Sequence, residues 1–343
     1  MAKLNPLRPY KGLRMAWGEL EQIVEEASGP EGLVEVLASM DGEVLKALRS
    51  DCWRARLRSF GRQLLAFRPW PKFPSISITG RRCELMCKYC MGAYLKGMLH
   101  AERPEELLEL CSRLADKGAN GVLISGGYTR DGVLPVRPFL KAIRAVKERF
   151  GLTVAIHPGL VGRELAEEIA SAGVDVALCE VLGDEGTIRE AVGLDKKPED
   201  YLASMLALRD AGVPKLAPHV PIGMWGGVLA GELEALKMVR AARPDVLVLI
   251  VFMPTRGTPY ATRKPPGLAD VEKLMAVARL MFPSTPVALG CMRPRERSYR
   301  ARLDVAAVEL GLDRIVLPAG EAVEKAGGLG LEVAWRDTCC AVP

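Results

Sequence analysis

Arg82-Cys83-Glu84-Leu85-Met86-Cys87-Lys88-Tyr89-Cys90 follows directly on a short apolar run, Ser75-Ile76-Ser77-Ile78-Thr79-Gly80. Its cysteines are spaced C-x-x-x-C-x-x-C. Thiolates clustered on one tight loop can ligate three irons of a [4Fe–4S] cube, which leaves the fourth iron without a protein ligand. Zinc is the competing reading. A structural zinc site closes four ligands, usually as two separated pairs, and no second pair at C-x-x-C spacing follows. The ligand count favours the cube.

Working outward, the chain alternates apolar runs with helical patterns, as repeated βα units on a parallel sheet do. Strands are expected at 75–80, 121–125, 153–157, 174–181, 215–224, 246–253, 287–291 and 314–317, with helices between them such as 104–117 and 136–149. Eight such strands predict an α/β fold, a (βα)8 TIM-type barrel, with its chemistry on the loops at the strands' carboxyl ends. Residues 1–70 show helical spacing only, in Leu20, Ile23, Val24, then Leu33, Val36, Leu37, then Val44, Leu45, Leu48, with breaks at Gly29-Pro30 and Asp41-Gly42. The expected division is an N-terminal helical extension over 1–70, a barrel over 71–320 and a short polar tail over 321–343.

The chain's 343 residues suit one barrel with end extensions. A formal charge of +5, from 47 Lys and Arg against 42 Asp and Glu, does not mark a nucleic-acid binder. No run approaches the roughly 18 apolar residues of a membrane span, and the opening Met1-Ala2-Lys3-Leu4-Asn5-Pro6 lacks the apolar core of a secretion signal. A cytoplasmic protein is expected. Nine cysteines then read as ligands and buried thiols rather than disulfides. Cys111 shares a helical face with Leu107, Leu108 and Leu114, and reads as structural.

The cysteine loop resembles that of the radical S-adenosylmethionine (radical SAM) enzymes, in which an aromatic residue, here Tyr89, precedes the last cysteine. The resemblance implies that Cys83, Cys87 and Cys90 hold the cube and that its open iron binds S-adenosylmethionine. Ser125-Gly126-Gly127-Tyr128 is similar to the paired glycines that receive the methionine amino group, although a simple turn also explains two glycines. Strand alternation turns Glu180 to the lumen and Cys179 to the surrounding helices. Glu180 and Asp184 are therefore assigned to the nucleoside's ribose or amino group, and Cys179 is structural. Ile222-Gly223, running on to Gly231-Glu232, looks like the element that brackets adenine, while His219 reads as a satisfied buried histidine. The run 252–259, Phe-Met-Pro-Thr-Arg-Gly-Thr-Pro, is similar to a biotin synthase loop.

Setting aside Cys83, Cys87, Cys90, Cys111 and Cys179 leaves Cys52, Cys291, Cys339 and Cys340, the number that would hold an auxiliary [4Fe–4S] cluster. The alternative keeps Cys52 in the core and the tail pair in a disordered segment. Together the motifs resemble the two-component archaeal-type lipoyl synthases, in whose ordinary counterparts a serine in an Arg-Ser-Tyr context binds the auxiliary cluster; Ser298 is the matching residue here. The terminal cysteine runs of ordinary lipoyl synthase are absent. The resemblance implies a radical SAM sulfurtransferase that inserts sulfur into an octanoyl chain on a lipoyl carrier protein. A second paralogous subunit and an electron donor such as ferredoxin are further expected partners. Arg293, Arg295, Arg297 and Arg300 would dock an acidic carrier, or form a solvated basic helix. Two rivals remain, a single-cluster biotin-synthase-like enzyme of rearrangement or ring chemistry and a non-catalytic iron–sulfur carrier.

Overall fold

In the computed structural model, which describes residues 17–342, one all-parallel sheet is wrapped by helices. Three helices come first, α1 (Trp17–Glu26), α2 (Gly29–Ser39) and α3 (Gly42–Phe60), followed by β1 (Gln63–Phe67), β2 (Ser75–Ser77) and β3 (Leu99–His100). The repeating units then run α4 (Pro104–Asp116), β4 (Gly121–Ser125), α5 (Leu140–Phe150), β5 (Thr153–Ile156), α6 (Arg163–Ser171) and β6 (Val176–Glu180). A short turn, α7 (Glu185–Thr187), leads to α8 (Pro198–Asp210), β7 (Lys215–Ile222), α9 (Glu232–Ala241), β8 (Leu247–Val251) and α10 (Leu268–Met281). The chain continues through β9 (Val287–Leu289), α11 (Arg297–Glu309), β10 (Arg314–Val316), α12 (Gly320–Gly328) and β11 (Glu332–Arg336).

The strand order is β11-β1-β10-β9-β8-β7-β6-β5-β4-β2-β3. All eight expected strands are present and lie in sequence order across the sheet. The sheet curls: Phe67 of β1, Ala155 of β5, Leu178 of β6 and Ala288 of β9 belong to one buried apolar cluster, an arrangement that a flat sheet of this order forbids. That cluster is the lumen. Neighbours in sequence, such as Val154, Ala177 and Leu289, pack in the other core against the helices, as period-two alternation requires.

Three strands were not expected, β1, β3 and β11, and the first and last of them alter the predicted division of the chain. Gln63-Leu64-Leu65-Ala66-Phe67 is a strand in the sheet, paired with β10 and β11, so the helical extension ends at Phe60 rather than at residue 70. The first 16 residues of that extension lie outside the described part. Residues 321–343 are not simply a polar tail, because they include most of α12 and the whole of β11, which pairs with β1 from Gln63↔Glu332 to Phe67↔Arg336. Residues 337–342 then turn back into the lumen, where Cys340 and Ala341 are buried. Among the described residues no helix is long and apolar enough to cross a membrane.

The helical layer is tied to the sheet by a buried ion pair. Asp313 accepts a hydrogen bond from Arg279 Nη1 at 3.0 Å and another from the Val287 amide at 2.9 Å, and Arg279 stacks 5.0 Å from the Phe60 ring. Removing one member strands the other charge in a low-dielectric interior. Asp313→Ala is expected to lower the unfolding free energy by roughly 3–5 kcal/mol, read by denaturant titration.

Candidate active site at the barrel mouth

The cysteine loop is built by backbone contacts before its thiols matter. Thr79 Oγ1 donates to Arg82 O at 2.9 Å and accepts from the Gly127 amide at 2.7 Å, fastening the loop after β2 to the loop after β4. A second tie is reciprocal: the Glu84 amide donates to Tyr128 O at 2.9 Å, and the Arg130 amide donates to Glu84 Oε2 at 3.1 Å. Further round the mouth, the Lys88 amide donates to Ala191 O, and Tyr94 Oη shares a 2.8 Å hydrogen bond with Thr255 Oγ1 in the 252–259 loop. Met86 and Met91, flanking Cys87 and Cys90, hold positive φ values of 48° and 46°. Left-handed backbone at non-glycine residues persists only where the surroundings over-determine it, and such strain concentrates at functional sites.

Gly127 is the residue that permits this packing. A Cβ there would lie 1.9 Å from Arg82 O and 2.5 Å from Cys83 Cα, so only glycine allows the second loop to rest on the first. At Gly126 the nearest atom to such a Cβ is Thr79 Oγ1 at 2.9 Å. The expected motif Ser125-Gly126-Gly127-Tyr128 therefore acts at least partly through backbone fit to the cysteine loop.

Cys87 is buried, while Cys83 and Cys90 are partly exposed. The Cys87 thiol is hydrogen-bonded to Cys90, which pushes the Cys87 pKa up and the Cys90 pKa down. Among the described residues no three Cys, His, Asp or Glu side chains converge on one metal-ion position. Ligands to a cube each reach a separate iron and need no common point, so the three thiols on one over-determined loop fit an iron–sulfur cube better than a single ion.

Inside the mouth, alternation does what the sequence predicts for β6. Val176 and Leu178 face the lumen and Cys179 lies in the outer core, so Glu180 points inward. Burial raises its pKa to about 7. Burial likewise pushes the Cys179 and Cys111 thiols up to about 12, consistent with structural roles. Tyr89 and Tyr128, at the same mouth, have phenols raised by burial. His219 is inward on β7; its Nδ1 lies 2.9 Å from Ala217 O, and its pKa falls to about 4 through burial. Its ring meets His157 edge-on at 5.2 Å, and burial followed by the His219 charge lowers His157 to about 3. His157 was missed as a site residue. The signal was present, because inward Ala155 implies an inward residue two positions on.

Other expected residues stand elsewhere. Asp184 Oδ2 caps the turn that starts at Glu185, accepting from the Thr187 amide at 2.6 Å and Thr187 Oγ1 at 2.9 Å. Ile222 is buried to 1%, and Gly223, at φ 74°, is held by its amide donating to buried Glu232 Oε1 at 2.7 Å. Glu232 also accepts from the Ala230 amide, so it shapes the loop after β7.

The expected auxiliary set breaks up. Cys52 is fully buried in α3 with its Sγ 3.7 Å from Ala276 O of α10, and burial raises its thiol to about 12. It is a core residue of the helical layer, separated from the other three. Cys339 and Cys340 pack together on the lumen cluster, and Cys291 is exposed in the loop after β9. Desolvation, followed by the charge of Cys339, raises the pKa of the Cys291 thiol, and the Cys340 thiol is hydrogen-bonded to Cys339. The pair at 339–340 is neither solvent-exposed nor in a disordered segment, because Cys340 is 4% exposed and Cys339 packs on the lumen cluster. Ser298 is exposed in the first turn of α11. Arg293 does not belong to a docking face: fully buried, it bonds Asp304 through Nε at 2.8 Å and Nη2 at 2.9 Å.

With this geometry in view, known proteins can be compared. The Radical SAM superfamily model matches residues 77–227, from the end of β2 to the glycine loop after β7. Biotin synthase of Vibrio vulnificus is 26% identical over 231 residues, covering 64% of this chain and 63% of that protein. The 7,8-didemethyl-8-hydroxy-5-deazariboflavin synthase of Halobacterium salinarum is 25% identical over 245 residues, covering 64% and 66% respectively. The match thus spans just under two thirds of the curated relatives. Among solved structures, methylornithine synthase (PylB) superposes with a TM-score of 0.63 at 17% identity, over 93% of this chain and 97% of that one. The FeFe-hydrogenase maturase HydG from Carboxydothermus hydrogenoformans gives 0.64 at 16% identity, over 95% and 81%, so both share the fold.

A curled parallel sheet with a three-cysteine loop at its carboxyl edge defines a radical SAM domain. Residues 77–227 match the Radical SAM superfamily model, and the chain is similar to biotin synthase over just under two thirds of its length. The superfamily implies a [4Fe–4S] cluster and S-adenosylmethionine, and Cys83, Cys87 and Cys90 are the residues that would hold the cluster.

Two measurements check this site. Gly127→Ala is expected to abolish iron loading at the cysteine loop while Gly126→Ala loses less, read as iron per chain after anaerobic reconstitution. For Glu180, the folded pKa of about 7 exceeds the ordinary 4.5. Between those values the folded chain holds a proton that the unfolded chain has released, so stability falls as pH rises through that window, by at most about 3 kcal/mol. Denaturant titrations of metal-free protein at pH 4.5 and 7.5 are expected to show this fall, reduced by up to that amount in Glu180→Gln.

Proposed function

We propose that the protein is a radical SAM sulfurtransferase of the lipoyl synthase type, acting on an octanoyl chain borne by a lipoyl carrier protein. The observation that carries this reading is the pair of adjacent thiols Cys339 and Cys340 packed on the lumen cluster of the barrel whose mouth holds the three-cysteine loop, with exposed Cys291 near enough to feel the charge of Cys339. Three thiols fit an auxiliary [4Fe–4S] cluster with one iron free of protein, and Cys52 takes no part. When bound, the cube at the mouth and S-adenosylmethionine supply a radical able to take hydrogen from an unactivated carbon, and the auxiliary cluster supplies sulfide.

The chain's own residues contribute binding, positioning and dryness. Cys83, Cys87 and Cys90 bind the first cluster, on a loop fixed by Thr79, Glu84 and Gly127. Glu180, held partly protonated near neutral pH by burial in the metal-free protein, faces the mouth, where a cationic ligand would draw its proton off. The lumen walls at Phe67, Leu178, Val248 and Ile250 are apolar and suit an alkyl chain, keeping water from the reacting carbon.

Docking of an acidic carrier would use a narrower set of arginines than the sequence suggests. Arg295, Arg297 and Arg300 line a cleft of about 590 Å3 with Leu317 and the first turn of α12. Arg295 is close enough to the mouth for its charge to act on Tyr94, which also feels Cys90. Glu321 and Glu324 line the same cleft, within which Arg295 and Arg297 are exposed. A ferredoxin-like electron donor and a second paralogous subunit remain expected partners of this activity.

A specific observation favours a second reading. The His157 and His219 rings stand in the lumen wall, polar groups that an alkyl chain does not need. They suit a single-cluster enzyme of rearrangement or ring chemistry on a polar substrate. Iron counting separates the two. About eight irons per chain and a thiolated octanoyl peptide detected by mass spectrometry support sulfur insertion, whereas about four irons with no sulfur gained sinks it. Failure to form 5′-deoxyadenosine from S-adenosylmethionine and reductant would sink both. For the cleft, Arg295→Ala with Arg297→Ala is expected to weaken carrier binding at least fivefold and flatten its salt dependence, with folding unchanged.

A further inference from the structure

Arg314 is the buried cation that needs the segment 337–342. It lies on β10 on the lumen side, two residues before Val316 of the lumen cluster, with its guanidinium 5.7 Å from the Phe67 ring. It is 7% exposed. Its Nη1 donates to Cys340 O at 2.7 Å and to Val342 O at 2.9 Å, and these are its side-chain hydrogen bonds among the described residues. The adjacent carboxylate, Asp313, is taken by Arg279 and the Val287 amide. An arginine in an apolar lumen loses its hydration, and without the two carbonyls it would have no hydrogen-bond acceptor to replace it.

The dependence runs both ways. Residues 337–342 leave the edge strand β11 and place Cys340, Ala341 and Val342 against inward-facing side chains of the barrel. Their backbone carbonyls enter a dry environment where unpaired polar groups are costly, and Arg314 satisfies two of them. Its Nη1 alone bridges carbonyls two residues apart, which fixes the segment's position more closely than a single contact would.

We propose that Arg314 is a positioning residue that clamps residues 337–342 as a floor inside the barrel and so presents Cys339 and Cys340 to Cys291. The floor fills the lower lumen and sets the depth of the space left beneath the cysteine loop. The clamp rests on its own geometry; its service to an auxiliary cluster rests on the sulfurtransferase reading.

The test is site-resolved alkylation of the full metal-free chain by iodoacetamide, read by mass spectrometry. Native protein is expected to modify Cys340 slowly. Arg314→Leu is expected to raise the Cys340 rate at least tenfold, and Arg314→Lys, which keeps one donor group, to restore part of the protection. Cys52, Cys111 and Cys179, buried in the outer core, should stay protected throughout and so report an intact barrel. Should Arg314→Leu also expose those three, Ala341→Glu expels the segment from its other side without touching the barrel, and the same Cys340 increase is then expected. Cys340 in native protein reacting at the rate of a free thiol, or staying slow in whichever of the two variants keeps the control thiols protected, overturns the clamp. In reconstituted protein, Arg314→Leu is expected to lose about four of about eight irons while still forming 5′-deoxyadenosine. If native protein holds only about four, the auxiliary-cluster reading fails while the alkylation result judges the clamp by itself.

Discussion

Period-two alternation on a parallel sheet that curls is the constraint from which the site follows. Each strand sends every second side chain inward, and parallel pairing puts all the carboxyl ends on one face. Inward Ala155 and Ala217 make His157 and His219 neighbours, and inward Leu178 makes Glu180 face the mouth. The cysteine loop needs more than parity, because its position depends on Gly127 having no side chain. The sheet brings the loops after β2 and β4 side by side; the glycine lets them touch.

The eight central strands were legible because each is an apolar run bounded by turn residues, buried on both sides as parallel strands are. β1 was not, since Gln63-Leu64-Leu65-Ala66-Phe67 follows a helix and carries no β-branched residue. β11, with Glu332, Trp335 and Arg336 exposed, forms the sheet edge and lacks the apolar signature for the same physical reason. The three cysteines of the mouth were legible through spacing alone. Those of the lumen were only partly so, because counting leftover cysteines assigns ligands without regard to distance. Cys52 on α3 met the count and failed the geometry.

The arginine cluster shows the same limit. Arg293 and Arg295 are two residues apart in one arginine-rich stretch, yet one is sealed against Asp304 and the other lines an open cleft. Composition marks the run as basic, but only tertiary packing decides which charges remain available to a partner. Asp304 could not be paired with Arg293 in advance, since it sits eleven residues on, in a helix whose buried face is set by the sheet beneath it.

The lumen is graded in polarity, and the gradient bears on what it can accept. Its floor is apolar apart from Arg314 and the carbonyls that arginine satisfies. One layer higher stand two neutral imidazoles and a carboxyl group that burial keeps protonated up to about pH 7. Holding all three uncharged avoids stranding ions in a desolvated space, yet leaves groups able to donate or accept hydrogen bonds. A substrate with an apolar end and a polar group a few bonds away matches both layers. An alkyl chain joined through an amide has that form, so the histidines do not by themselves argue against an acyl substrate. On the proposed sulfurtransferase reading the amide would sit near the imidazoles and the chain would extend into the apolar layer, whereas a polar substrate of the rival reading would use the imidazoles directly.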